Sequence, residues 1–232
     1  MPTSDQPTRR RPAVRPSTLV LLVRHGTTPT TGKVLPGRAS GLHLADSGKA
    51  QAETVAARLA EWSALAPTSK DGKARIAAVY ASPLERTRET AAPIARALGL
   101  KVQTDRGLLE CDFGDWTGAE LKVLMKKPEW NTVQRYPSGF RFPGGESFTA
   151  MQARIVTAVA ELTRKHPGEA IVAVSHADPI KAAVNDALGS HLDLFQRIVI
   201  SPCSVTAISY GPVGPTVLAV NSTSGLKDLV PS

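Results

Sequence analysis

Residues 18–26 read TLVLLVRHG, an apolar run that ends in an arginine, a histidine and a glycine. A run this short, followed by turn-forming residues, is typical of a strand buried on both faces, and we place that strand at Thr18 to Arg24. Its apolar part, Leu19 to Val23, is too short to cross a bilayer or to form the core of an export signal, although arginines stand at 9–11. The run therefore predicts a buried strand that carries polar side chains at its carboxyl end.

Short apolar runs and longer amphipathic stretches alternate along the rest of the chain. This alternation predicts an α/β fold with a largely parallel sheet. Further strands are predicted at 76–81, 101–104, 170–175, 204–210 and 216–221, and helices at 47–62, 146–165 and 179–188. Another helix is predicted to open at Ser82-Pro83-Leu84-Glu85, with Ser82 as N-cap and Glu85 completing a capping box.

The domain organisation is predicted from changes in composition. Residues 1–16 are rich in proline and arginine, and we expect them to form a disordered basic tail. Residues 17–232 are expected to form a single domain. Within it, the irregular stretch from about 115 to 145 is rich in Trp, Lys, Pro and Gly, and we interpret it as an insertion that forms a lid over a site.

Composition narrows the functional classes. The formal net charge is +8, but the chain has no recognisable nucleic-acid-binding motif and few aromatic residues for stacking on bases, so we expect no nucleic-acid partner. Cys111 and Cys203 are too few for a disulfide framework and lack metal-ligand spacing. We therefore expect a cytoplasmic protein with no membrane partner. One sequence leaves open whether the chain forms a homo-oligomer.

Polar groups of one chemical kind follow three of the predicted strands. The first strand ends in Arg24-His25, the second is followed by Arg86 in the first turn of a helix, and a later one ends in Ser175-His176. Ligands of open α/β sheets bind outside the carboxyl ends of the strands. Two arginines and two histidines that converge there would form an anion pocket suited to phosphate.

A histidine in such a pocket could do more than bind. Neutral imidazole is a good nucleophile near pH 7, and phosphoryl transfer to His25 would split hydrolysis into two easier displacements. Arg24, Arg86 and His176 would stabilise the charge on the transferring group. Glu110 could protonate the leaving oxygen and later activate water, if burial raises its pKa.

Five segments, in order between Leu19 and Ala183, resemble the histidine phosphatase superfamily (phosphoglycerate-mutase-like, branch 1). The match is to its RHG, SPLxRAxxTA, LxExxFGxWxG, PPGGES and VSH motifs, which correspond here to 24–26, 82–91, 109–118, 142–147 and 174–176. Any one match could arise by chance, whereas five in family order are specific. The resemblance implies the three-layer α/β/α fold of that superfamily, with a mostly parallel central sheet.

The resemblance also implies roles for individual residues. His25 would be phosphorylated, Arg24, Arg86 and His176 would bind the phosphoryl group, and Glu110 would be the general acid. Further substrate-binding positions are then Thr31, Gly37, Arg38 and Ala177. The resemblance implies a small phosphorylated metabolite as substrate and no metal or organic cofactor.

Two departures from the family pattern bear on the substrate. Thr31 stands where the family usually has an asparagine that touches phosphate, and Ala177-Asp178 replaces the Gly-Gly that usually follows the second histidine. Asp178 could hydrogen-bond within the site or repel a second anionic group.

Residues 111–118 have the phosphatase-like form rather than that of the cofactor-dependent phosphoglycerate mutases, so hydrolysis is favoured. A mutase and a non-enzymatic phosphate-binding module remain the alternatives.

Other candidate residues receive structural interpretations. Arg88 is predicted to lie on the surface, and His43, His166 and His191 have no motif context. A zinc site at His25, His176, Glu110 and Asp178 is conceivable but lacks any supporting ligand spacing. Trp116 and Trp130 could line the pocket or pack the insertion, and the sequence does not separate these alternatives.

Overall fold

The computed structural model describes residues 16–65 and 76–226 of the chain. Its strands are β1 (Thr18–Arg24), β2 (Ile76–Ala81), β3 (Val102–Thr104), β4 (Ala170–Ser175), β5 (Val205–Gly211) and β6 (Gly214–Ser222). They form one sheet in the order β3-β2-β4-β1-β5-β6. Strands β1 to β4 are mutually parallel, whereas β5 runs antiparallel to β1 and β6 antiparallel to β5.

Helices cover both faces of this sheet. They are α1 (Asp46–Leu65), α2 (Glu85–Ala97), α3 (Leu121–Leu124), α4 (Glu129–Arg135), α5 (Phe148–Lys165) and α6 (Ala177–Ala187). Successive side chains of a strand point to opposite faces. Accordingly, Leu21 packs in the apolar cluster that includes residues of α1 and α2, and Leu22 in the cluster that includes residues of α5 and α6. The three-layer α/β/α prediction is confirmed.

The predicted elements agree with the structure more closely at strands than at helix ends. The strands predicted at 18–24, 76–81 and 170–175 have those bounds. The helix predicted at 179–188 already begins at Ala177. The capping box was wrong: α2 begins at Glu85 and has no side-chain cap hydrogen bond. The hydroxyl of Ser82 instead lies 3.0 Å from Nε2 of His176, a contact between distant parts of the chain.

Residues 115–145 contain α3, α4 and short 3₁₀ turns. The Trp116 ring stacks on Trp130 with a centroid distance of 6.4 Å and contacts Phe140 and Phe142 at 5.5 Å. Neither tryptophan lines the cavity beside His25, so both rings pack the segment against the core.

The predicted tail at 1–16, apart from Pro16, falls outside the described residues. Among the helices of the described segments, none combines the length and the apolar character that a bilayer crossing requires.

Candidate active site

The carboxyl ends of the parallel strands bring the predicted site residues together. Arg24 pairs with Ser175 in the β1–β4 register, and the backbone N–H of His25 donates to the Ser175 carbonyl at 3.0 Å. The residues that follow Arg24 and Ser175 are His25 and His176, so the two histidines stand at the ends of neighbouring strands. The rings of His25 and His176 lie 5.2 Å apart, centroid to centroid, at 63° to each other.

The loop after β1 is held against two helices. The backbone N–H of Gly26 donates to the Thr90 hydroxyl of α2 at 3.0 Å. A Cβ on Gly26 would lie 2.6 Å from the Gly48 carbonyl oxygen, and a Cβ on Gly48 would lie 2.0 Å from that of Thr27. Both positions therefore require glycine, and this close approach fixes the backbone that carries His25.

His25 is held as a neutral imidazole with one nitrogen free. Its Nδ1 lies 2.7 Å from the Gly26 carbonyl oxygen. A carbonyl only accepts hydrogen bonds, so Nδ1 carries the hydrogen and Nε2 keeps its lone pair. Burial, reinforced by the charges of Arg86 and Arg24, lowers the pKa of His25 to about 3. The ring is therefore a neutral imidazole at neutral pH, with the Nε2 lone pair available as nucleophile.

His176 is oriented by Ser82 and fully buried. Burial, with the charge of Arg86, lowers its pKa well below the ordinary value. Its Nδ1 is buried and has no hydrogen-bond partner among the described residues. If the Ser82 hydroxyl donates to Nε2, Nδ1 carries a hydrogen that is free to bind an anion.

The two arginines leave guanidinium nitrogens unsatisfied. Arg24 donates from Nη1 to the Ile200 carbonyl at 2.6 Å, and Arg86 donates from Nη2 to the Gly37 carbonyl at 2.7 Å. In the described part of the chain, Nε of Arg24 and both Nε and Nη1 of Arg86 are buried without a partner. Buried cationic donors are costly unless paired. An anion such as phosphate would satisfy them.

Glu110 is buried beside these groups, with its Oε1 accepting the backbone N–H of Cys111 at 2.9 Å. Burial and the negative charge of Asp178 raise the pKa of its carboxyl to about 7, against the opposing effects of Cys111, Arg86 and Arg24. A substantial protonated fraction near neutral pH gives this carboxyl the state that a general acid requires.

The backbone of Glu110 is held by hydrogen bonds from an ionic cluster of Arg154, Arg38 and Glu146. Arg154 on α5 donates to the carbonyls of Gly107 and Leu109 at 2.8 Å and to that of Glu110 at 3.2 Å. The Glu146 carboxylate accepts from Arg154 at 2.9 Å. Sequence reasoning missed Arg154, although a signal was present, since it stands three residues after the buried Met151 and four before the buried Ala158 on α5.

Arg38 belongs to this cluster rather than to the cavity wall. Its Nε donates to the Glu110 carbonyl at 2.9 Å, its Nη2 to Glu146 at 3.0 Å, and its Nη1 lies 3.6 Å from Asp112. All three nitrogens are therefore occupied, and the structure does not bring Arg38 to the predicted phosphate contact. Gly37 is likewise absent from the cavity wall and instead binds Arg86 through its carbonyl.

A cavity of about 380 Å³ opens beside His25. Its walls include five of the predicted residues: Arg24, His25, Thr31, Glu110 and Ala177. Arg86 and His176 are fully buried next to His25 and do not themselves line the cavity. The unsatisfied nitrogens therefore belong to the closed end of the site, and the cavity leads outward from it.

The remaining histidines have structural partners. His43 pairs with Glu89, His166 contacts Tyr80 and Glu169, and His191 accepts the backbone N–H of Asp193. Arg88 is exposed, as predicted. Within 16–65 and 76–226, no three His, Cys, Asp or Glu side chains form a group that could hold a metal ion.

The chain is similar to several known proteins. It is 29% identical over 214 residues to phosphoserine phosphatase 1 of Hydrogenobacter thermophilus, covering 90% of this chain and 94% of that one. It is 30% identical over 211 residues to the bifunctional protein Rv2228c of Mycobacterium tuberculosis, covering 90% of this chain but only 55% of that protein. The chain thus spans about half the length of this mycobacterial relative.

The fold is also found among solved structures. The mycobacterial glucosyl-3-phosphoglycerate phosphatase Rv2419c superposes with a TM-score of 0.75 at 23% identity, covering 89% of this chain and all of that one (100%). A family model described as the histidine phosphatase superfamily (branch 1) matches residues 20–223, which include the strand-end histidines, both arginines and Glu110. The chain belongs to the histidine phosphatase superfamily, branch 1.

Proposed function

We propose that the chain hydrolyses phosphomonoesters through a phosphohistidine intermediate on His25. One observation carries this proposal: His25 presents a free Nε2 beside buried arginine nitrogens that have no partner in the described chain. The nucleophile and the anion site are thus adjacent. The names of two relatives, a phosphoserine phosphatase and a glucosyl-3-phosphoglycerate phosphatase, support the same reaction class.

In the first displacement, Nε2 of His25 attacks phosphorus as the ester P–O bond breaks. Glu110 transfers its proton to the leaving oxygen, which departs as a neutral alcohol. The charge on the phosphoryl oxygens in the transition state is stabilised by Arg24, Arg86 and the Nδ1–H of His176. The Nδ1–H of His25 continues to donate its hydrogen bond to the Gly26 carbonyl, and this bond stabilises the positive charge that the ring acquires.

In the second displacement, the Glu110 carboxylate removes a proton from water. The oxygen of that water attacks phosphorus, the P–N bond breaks, and inorganic phosphate leaves. His25 is neutral again and Glu110 is again protonated, so the cycle closes with one water consumed for each ester. A mutase would instead return the phosphoryl group to the bound product, and isomerisation would then outpace release of free phosphate.

The direct test is release of phosphate from para-nitrophenyl phosphate in the presence of EDTA. We expect His25→Ala to lose about 1,000-fold or more in kcat/KM, since the nucleophile is gone. His191→Ala removes a histidine whose side chain is 67% exposed and serves as the matched control. Unimpaired turnover in His25→Ala, or activity that EDTA abolishes, would contradict the proposal. Failure to trap phosphohistidine with a broad panel of esters would favour a binding module.

We further propose that the substrate is a small phosphorylated metabolite and that the protein works in the cytoplasm. Both Cys111 and Cys203 are free and buried, which is compatible with a reducing compartment. We also propose that residues 17–232 form a single domain in which residues 115–145 act as the lid. Leu121 from this segment lines the cavity beside His25, which supports the lid.

A further inference from the structure

The outer part of the cavity differs sharply from its closed end. Beyond Arg24, His25 and Glu110, much of the wall is apolar, formed by Val34, Leu35, Leu121, Ile198, Val199 and Ile200. In the proposed reaction this part of the cavity receives the leaving group, because the phosphoryl group occupies the closed end. The wall therefore offers the leaving group apolar contact.

This apolar surface continues to the outside of the molecule. A second cavity shares Gly32, Val34 and Leu121 with the first and extends to Met125. Met125 is 62% exposed and Val199 is 66% exposed. Exposed apolar side chains at the rim of a cavity are typical of ligand-binding grooves.

Lys181, the lysine of the outer wall, is already paired with a carboxylate. Lys181 lies 3.3 Å from the Asp178 carboxylate and also donates to the Gln196 side chain at 3.1 Å. The Asp178 and Lys181 side chains are only 18% and 16% exposed, so solvent screens this pair weakly. Of the lysines and arginines in the described chain, only Arg24 and Lys181 line this cavity, and Lys181 is already paired with Asp178.

A second anionic group on the substrate would thus meet a paired lysine and a nearby carboxylate. The cations of the second cavity, Lys33 and Lys122, border only that outer space, and Lys122 is already 2.7 Å from Glu120. A carboxylate close to the phosphate, as in phosphoserine or phosphoglycerate, would lose hydration there without gaining a free cation.

We propose that this site selects phosphomonoesters whose leaving alcohol is apolar and carries no second negative charge. The inference rests on the proposed function, since it assigns the leaving group to the outer cavity. It differs from the substrates that the names of the relatives suggest. The residues that set this preference are Val34, Leu121 and Val199 through apolar contact, and Asp178 through repulsion.

The test compares alkyl esters, so that differences in leaving-group reactivity do not mimic a binding preference. Phosphate release is measured at pH 5 from ethyl phosphate, n-hexyl phosphate, phosphoserine and 3-phosphoglycerate. We expect kcat/KM for hexyl phosphate to exceed that for each of the other three by at least about tenfold. Higher kcat/KM for phosphoserine or 3-phosphoglycerate would overturn the inference.

Two variants assign the preference to the named wall. Val199→Ser should lower kcat/KM for hexyl phosphate several-fold more than kcat/KM for ethyl phosphate, because the longer chain makes more contact with the outer wall. Val123→Ser is the matched control, because Val123 is 52% exposed and lines neither cavity. Asp178→Asn should raise the ratio of 3-phosphoglycerate to hexyl phosphate turnover about tenfold. Equal effects of Val199→Ser and Val123→Ser, or an unchanged ratio in Asp178→Asn, would overturn the inference.

Absence of hydrolysis would contradict the proposed function, but the inference can still be tested by binding. Binding of hexyl phosphate and 3-phosphoglycerate to the His25→Ala variant, measured by calorimetry, gives the same comparison without turnover. Tighter binding of hexyl phosphate supports the inference, and tighter binding of 3-phosphoglycerate overturns it.

Discussion

The charge states of two residues, Glu110 and His25, set the pH range in which the site can work. Burial raises the pKa of Glu110 to about 7, whereas burial and the nearby arginines lower the pKa of His25 to about 3. The first displacement needs Glu110 protonated and His25 neutral. We therefore expect kcat/KM to fall as the pH rises through about 7 and to persist on the acid side until His25 is protonated.

Asp178 provides the check on this assignment. Its negative charge raises the pKa of Glu110, so Asp178→Asn should lower that pKa and move the alkaline limb of the kcat/KM profile to lower pH. Asp46→Asn is the control, because the Asp46 side chain is 99% exposed. An alkaline limb that stays in place or moves to higher pH in Asp178→Asn would contradict the role given to Glu110.

For individual residues, the sequence predicted correctly which side chains come together, but it did not predict the direction in which each side chain points. His25 and His176 were placed together because both follow parallel strands, and the register of β1 and β4 bears this out. The family resemblance placed Arg38 at the phosphate, but its guanidinium group donates to Glu146 and to the Glu110 carbonyl instead. A side-chain direction set by such distant partners is not encoded in local spacing.

At the scale of elements, the start of α2 shows where local rules fail. Ser82-Pro83-Leu84-Glu85 has the composition of a capping box, yet α2 has no side-chain cap hydrogen bond. The Ser82 hydroxyl contacts His176 instead, 94 residues away in the chain. A fully buried imidazole needs a hydrogen-bond partner more than a helix terminus does, because backbone N–H groups at that terminus have other means of satisfaction.

The packing of α1 against the loop after β1 yields a prediction at Gly48. Alanine is a better helix former than glycine by about 1 kcal/mol, so Gly48→Ala would ordinarily stabilise α1. Here the added Cβ would lie 2.0 Å from the Thr27 carbonyl oxygen, which is backbone and must shift. We expect a lower melting temperature and a loss of about tenfold or more in kcat/KM, because the loop carries His25.

Gly225→Ala is the matched control, since a Cβ there meets no atom within 4 Å and the backbone is not in the left-handed region. Thermal unfolding and phosphate release measured on the same preparations separate the two effects. Unchanged kcat/KM in Gly48→Ala would show that the α1 contact does not position His25.

At the scale of the whole molecule, the mostly parallel sheet was predictable but the strand order was not. The alternation of strands and helices indicates crossover connections, and these make neighbouring strands parallel. Which strands become neighbours depends on the faces to which α1, α2, α5 and α6 pack, and that is a property of the assembled core. The order places β1 between β4 and β5, so that the RHG segment and His176 share one crevice.

The buried histidines make the stability of the whole fold depend on pH. The pKa of His25 is about 3 in the folded chain, against an ordinary value of 6.5. Below pH 6.5 the unfolded chain therefore binds a proton that the folded chain excludes, so this residue destabilises the fold as the pH falls towards 3. At pH 5.5 the effect amounts to about 1.4 kcal/mol in the free energy of unfolding.

His25→Asn removes this titration. The difference in unfolding free energy between the variant and the wild type should shift by about 1.4 kcal/mol in favour of the variant between pH 7.5 and 5.5. Urea denaturation at both pH values measures it. Val123→Ser, which removes no titratable group, should show the same difference from the wild type at both. A pH-independent difference for His25→Asn would mean that the folded chain protonates His25 as readily as the unfolded chain does, which would contradict the lowered pKa of His25.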